Sequence, residues 1–183
     1  MFKRLMEKYG KWADGRIILF LLFLFLLTNL VIAPAIYPKF QTLDTLSSYT
    51  PQKAYELISS YGSPGRQSYA VIEVTLDLAY PLITALMFSL MILYTFKRAF
   101  PGIGWVQYVS LAPFVVMLAD FLENASVVTM LLSYPRELAG VAQAANVFTV
   151  AKFALAPLQL LFVIGLIAWP IQVIRSKRLA RQS

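Results

Sequence analysis

Residues 17–36 read IILFLLFLFLLTNLVIAPAI, a run with no charged residue and, before Thr28 and Asn29, no polar one. About 20 apolar residues are needed to cross the hydrocarbon core of a bilayer, and this run has that length. Its first half is apolar on every side, which predicts a helix facing lipid and not a helix with one buried stripe. Working outward, three more stretches qualify: residues 69–96, 105–132 and 141–174. None alternates with period two over strand-length segments, so a β-barrel is not expected. The fold class that follows is all-α, an integral membrane four-helix bundle forming a single transmembrane domain over residues 1–183.

Composition agrees. The chain is 59% hydrophobic and 14% charged, with a mean hydropathy of +0.67. A soluble domain of 183 residues needs a more polar surface than this. The net charge of +7 does not point to nucleic acid, because the basic residues sit at the termini and in short loops, where anionic headgroups lie. Neither cysteine nor histidine occurs, which excludes disulfides, thiolate chemistry, zinc–histidine sites and histidine acid–base catalysis.

Positive charge orients the bundle. Lys3, Arg4, Lys8, Lys11 and Arg16 precede the first span, Lys97 and Arg98 follow the second, and Arg175, Lys177, Arg178 and Arg181 follow the fourth. Lys39, Lys53, Arg66 and Arg136 fall on the other side. The positive-inside rule then places both termini in the cytoplasm, in the cell membrane, as a multi-pass protein. Trp12, Trp105 and Trp169 fall at the cytoplasmic span ends, and Tyr37, Tyr69 and Tyr134 mark the opposite interface. Ala33-Pro34-Ala35 resembles a signal-peptidase site, but the apolar run is long and Pro34 lies inside that site, so an uncleaved anchor is expected.

Outside the spans, Phe2, Leu5, Met6 and Tyr9 share a face opposite Lys3, Arg4, Glu7 and Lys8, which predicts a short helix on the inner membrane surface. The first external loop, residues 37–68, contains Thr50-Pro51 as a helix start and Gly62 as its stop. Ala54, Tyr55, Leu57, Ile58 and Tyr61 between them predict an amphipathic helix over residues 51–61, either shielding the bundle or acting as a lid. Gly62-Ser63-Pro64-Gly65 reads as a tight turn that delivers Arg66 to the mouth of the second span.

The candidate site is a set of ionisable groups inside the spans. Glu73 and Asp77 are four apart on the second helix; Asp120, Glu123 and Asn124 share a face of the third. Ala145, Thr149, Lys152, Ala156 and Gln159 make one small and polar stripe on the fourth, with Asn146 beside it. At a rise of about 1.5 Å per residue, Asp120 falls near the midplane and Lys152 and Glu123 roughly 5 Å outward. Asp77 follows at about 9 Å, and Glu73 lies close to the outer interface. One such residue at a helix centre costs about 2.5–3.5 kcal/mol on insertion scales, so ionisable groups at matching depths on three helices point to function. Four carboxylates cannot all be ionised beside one lysine; at least one is expected to keep its proton, and Lys152 to pair with Asp120 or Glu123. Pro81 leaves the Asp77 carbonyl without its helical donor, and Pro157 does the same to Phe153. Asn29, Thr84 and Thr129 read as hydrogen-bonding glue between helices.

Residues 62–81 (GSPGRQSYAVIEVTLDLAYP), with Asp120-Phe121-Leu122-Glu123-Asn124 and Phe148-Thr149-Val150-Ala151-Lys152, resemble small uncharacterised prokaryotic four-span membrane proteins. In helix count, length and the Glu73 region the chain is also similar to the EXPERA group, which includes the sigma-2 receptor and sterol isomerases. That resemblance implies a pocket reached from the membrane and lined by acids; the first span here lacks the acid the group would have.

Three functions fit these residues. The first is binding of a small amphipathic or cationic ligand or a lipid, with Glu73, Asp77, Asp120, Glu123, Asn124 and Lys152 as ligand-binding residues and Arg66, Asn146 and Thr149 in support. The second is a lipid-modifying enzyme using carboxylate acid–base chemistry, including a variant with Mg²⁺ on Asp77, Asp120 and Glu123. The third is a proton- or cation-coupled carrier, against which stand the apolar cytoplasmic halves of spans two to four. Binding is the leading expectation. Its partners are membrane lipids and the ligand, with no nucleic acid; no metal-ligand motif is present, and the cofactor and oligomeric state stay open.

Overall fold

A computed structural model describes residues 2–37 and 39–180, with the backbone alone at Phe2, Lys3 and Val106. Arg181, counted in the basic tail, lies outside the described residues. These are helices joined by short connections, with no strand among them. In chain order they are α1 (Phe2–Tyr9), α2 (Gly15–Leu27), α3 (Ala33–Ile36), α4 (Pro51–Ser60), α5 (Gly62–Ala99), α6 (Val106–Val109), α7 (Ala112–Ser133), α8 (Ala139–Leu155) and α9 (Leu161–Ala180).

Four helical stretches are long and apolar enough to cross a membrane: Gly15–Ile36, Gly62–Ala99, Gln107–Ser133 and Ala139–Ala180. Only 6% of the most apolar window of the first and of the fourth is buried by protein, against 50% for the second and 39% for the third. The second and third spans therefore form the centre, and α2 buries no side chain against the bundle, as its all-round apolar surface implies. The long α5 packs against α2, α7 and α9, while α8 packs against α7 and α4. At Gly165 in α9 a side chain would lie 2.6 Å from Thr95 Cβ and from Phe96 Cδ1, so this glycine permits the close approach of α9 to α5.

The first and fourth spans are interrupted where their sequence forces it. The first loosens into a π-turn over Thr28–Ile32 before Pro34, where the side chain of Asn29 donates to the Phe25 carbonyl at 2.8 Å. The fourth changes to a 3₁₀ segment at Ala156–Leu160, around Pro157, before continuing as α9. Of the three residues expected to tie helices together, only Asn29 crosses, accepting from Tyr80 Oη at 3.4 Å. Thr84 and Thr129 instead donate to the carbonyls of Tyr80 and Ala125 in their own helices.

The connection between the first two spans is built as a cap over one end of the bundle. Thr50 accepts from the Lys53 N–H at 3.2 Å and Pro51 occupies the first turn of α4. Ala54, Tyr55 and Ile58 of α4 are buried, and they join Leu43, Tyr69, Val127, Met130, Ala142 and Ala145 in the larger hydrophobic core. Gln52, Lys53, Glu56 and Ser59 are exposed on the other side of α4. The turn between α4 and α5 is tighter than the sequence suggests. Gly62, at φ +64°, takes the whole reversal, and Ser63, Pro64 and Gly65 already belong to the first turn of α5. At the opposite end α1 docks on α5: Met6 is buried, Tyr9 donates to Ser89 Oγ at 2.7 Å, and Lys97 donates to the Gly10 carbonyl at 3.2 Å.

Candidate functional site

The third and fourth spans carry the first part of the site. Glu123, fully buried on α7, and Asp120, one turn earlier, both face Lys152 on α8. Lys152 Nζ lies 2.9 Å from Asp120 Oδ1 and forms a second ion pair with Glu123 Oε2. Thr149, one turn before Lys152, donates to Glu123 Oε1 at 2.7 Å. The lysine thus pairs with both acids where the spacing alone left a choice. Glu123 has a partner on each oxygen, as a buried carboxylate requires.

The fourth span is also tied to the capping segment. Tyr49 is buried; its backbone N–H donates to Asn146 Oδ1 at 2.7 Å, and its hydroxyl lies 3.4 Å from that of Thr149. Asn146 therefore anchors the cap and does not reach the ion pair.

The second part gathers around α5. Asp77 and Glu73 are joined by Asp44, from the 3₁₀ turn Leu43–Thr45, and carboxylate oxygens of all three lie within 4.8 Å of one another. Two tyrosines hold this group in place. Tyr37 Oη donates to Asp77 Oδ1, and Tyr69 Oη donates to Asp44 Oδ1 while accepting from the Leu43 N–H at 3.1 Å. Burial and the neighbouring carboxylates hold the Tyr37 phenol well above its usual range, so it stays a donor. The single phenolic proton of Tyr69 is committed to Asp44. Both oxygens of Glu73, which is 2% exposed, and Oδ2 of Asp77 are buried without a hydrogen-bond partner.

Between the two parts runs a cavity of about 370 Å³ whose wall includes Tyr37, Asp44, Asp77, Tyr80, Asp120, Asn124, Lys152 and Gln159. A second of about 490 Å³ adjoins it across Tyr37 and Tyr80 and opens toward Thr28, Asn29 and Ala33 of the first span. A shallower groove of about 340 Å³ reaches Glu73 between Val74, Leu78, Phe121 and Val128. The Asp77 carbonyl, deprived of its donor by Pro81, accepts from Asn124 Nδ2 at 2.8 Å. That bond explains why an asparagine sits on this face of α7: it links the two central spans where the α5 ladder is interrupted.

Of the residues singled out from the sequence, Glu73, Asp77, Asp120, Glu123, Asn124, Thr149 and Lys152 are brought together. Arg66 is not; its guanidinium lies 4.2 Å from the centre of the Tyr134 ring and donates to the Ile58 carbonyl at 3.4 Å. The grouping of Asp77 also differs from the Mg²⁺ arrangement considered from sequence, since Asp120 and Glu123 are engaged by Lys152 and Asp77 sits instead with Asp44 and Glu73. Asp44, Tyr37, Tyr49 and Tyr69 escaped the sequence reading. Asp44 lies in a loop with no helical register to place it, and Tyr37 and Tyr69 read as interfacial anchors. The one available signal was an acid, Asp44, within a connection otherwise rich in Thr, Ser, Leu and Tyr. Comparison with protein-family models, curated proteins and solved structures gave no match for this chain.

Proposed function

We propose that the protein is a multi-pass protein of the cell membrane that binds a small amphipathic or cationic molecule, or a lipid, in the cavity between its second, third and fourth spans. The observation that carries this reading is the charge of the cavity wall. Asp44, Asp77 and Asp120 line it against one cation, Lys152, which is already shared between Asp120 and Glu123. A negative, partly desolvated wall favours a ligand with a cationic or hydrogen-bond-donating end. Its hydrocarbon would lie in the adjoining cavity, beside Ala33, Leu76 and Tyr80.

The placement of basic residues supports an orientation with both termini in the cytoplasm, which puts the cavity in the outer half of the bilayer. In that orientation α4 is an amphipathic interfacial helix, its exposed Lys53 and Glu56 toward water and its buried Tyr55 and Ile58 toward the bundle.

The test is mass spectrometry of small molecules extracted from gently purified protein, beside an Asp120→Asn/Glu123→Gln variant. A species enriched with the wild type and lost from a folded variant is the expected result. The same bulk-lipid profile from both proteins would overturn the proposal.

A further inference from the structure

Among the described residues, no salt bridge reaches the three-carboxylate group. Lys152 pairs with Asp120 and Glu123, and Arg66 is turned toward Tyr134. Clustered acids alone are common, but Glu73 is 98% enclosed and has neither oxygen hydrogen-bonded, while one of its oxygens lies within 4.8 Å of those of Asp44 and Asp77. A buried carboxylate directed at two others is a costly arrangement unless a proton or a cation sits among them.

From this we infer that Asp44, Glu73 and Asp77 form a binding site for a hard divalent cation. Oxygen ligands from carboxylates are what such ions take, at about 2.3–2.6 Å for calcium, and oxygens on opposite sides of such a shell stand about 4.6–5.2 Å apart. A separation within 4.8 Å lets all three carboxylates reach one such ion, calcium among them. Tyr37 and Tyr69 each hold one oxygen of a ligating carboxylate, Asp77 and Asp44, and so orient the ligands from behind. Asp44 and Asp77 border both cavities, from which water completes the coordination shell. The site is distinct from the ion pair at Lys152 and does not depend on an organic ligand being bound. It joins the capping segment, through Asp44, to the second span, so the cation fastens the cap to the bundle.

The experiment uses the full chain, purified in detergent and stripped with chelator. Tb³⁺, a luminescent stand-in for calcium, is excited through nearby tyrosines and then displaced with Ca²⁺. The expected result is sensitised luminescence from the wild type that Ca²⁺ removes, and a Ca²⁺-dependent rise of several degrees in the thermal midpoint. Glu73→Gln should lose both, Tyr69→Phe should weaken apparent affinity about 10- to 100-fold, and Glu56→Gln, on the exposed face of α4, should behave as wild type. No Ca²⁺-displaceable luminescence in the wild type, or an unchanged response in folded Glu73→Gln, would overturn the inference. Should Glu73→Gln not fold, Asp44→Asn, on the more accessible turn, takes its place with the same two outcomes. Retention of Ca²⁺ binding by Asp120→Asn/Glu123→Gln would show that the cation site does not depend on the ion pair at Lys152, whichever way the extraction experiment falls.

Discussion

Two clusters of carboxylates lie side by side in this molecule and solve burial in opposite ways. At Asp120 and Glu123 the protein supplies its own cation: Lys152 meets both acids, and Thr149 satisfies the remaining Glu123 oxygen. At Asp44, Glu73 and Asp77 it supplies only neutral donors, Tyr37 and Tyr69, and leaves three buried oxygens without a partner. The first arrangement pairs each acid with a cation and couples the third and fourth spans. The second is open, and it couples the capping segment to the second span through whatever fills it. The same residue type is thus structural in one place and receptive in the other, and the difference lies in the neighbour and not in the acid.

The comparison breaks most severely if the paired cluster is opened. Lys152→Met leaves Asp120 and Glu123 buried without their cation, and a loss of about 3–5 kcal/mol in unfolding free energy is expected in detergent. Neutralising the whole group, with Asp120→Asn and Glu123→Gln added, should recover most of that loss; failure to recover would mean the lysine acts by packing.

High pH tests the tyrosines that join the two clusters to the cap. Burial pushes Tyr49 up to about 12, against a smaller opposing effect of its Thr149 partner. The fold therefore favours neutral Tyr49, and this contribution is complete below pH 10 and lost as pH rises from there toward about 12. The loss is about 2–3 kcal/mol, and Tyr49→Phe should flatten that part of the alkaline stability curve.

Asn124 sharpens the link between the clusters. Asn124→Ala deprives the Asp77 carbonyl of its donor, for an expected cost of about 1–3 kcal/mol. In a Pro81→Ala background the restored backbone N–H can serve that carbonyl, so the cost should shrink; equal costs in the two backgrounds would disprove the proline–asparagine pairing. Comparable is Thr149→Val, which leaves Glu123 Oε1 without its donor and should cost about 1–3 kcal/mol by the same denaturation measurement.

The sequence by itself determined the four apolar helices, because a run of about 20 apolar residues has one stable way to satisfy its backbone in hydrocarbon. It also determined which acids share a face of α5 and α7, since helical periodicity fixes neighbours three and four residues apart. The outward-facing first span, the helix beginning at Thr50-Pro51 and the Lys152 ion pair were legible for the same reason. What only the tertiary structure decided are the pairings between segments with no common register. Asp44 reaches Glu73 and Asp77 because the connection from the first span folds back over the bundle, and no periodicity in residues 37–50 announces that return. Tyr37 and Tyr69 looked like interfacial rings because local sequence fixes their depth but not the direction of their hydroxyls. Helical spacing placed carboxylates on faces; folding the cap across those faces decided which of them would find a cation and which would be left wanting one.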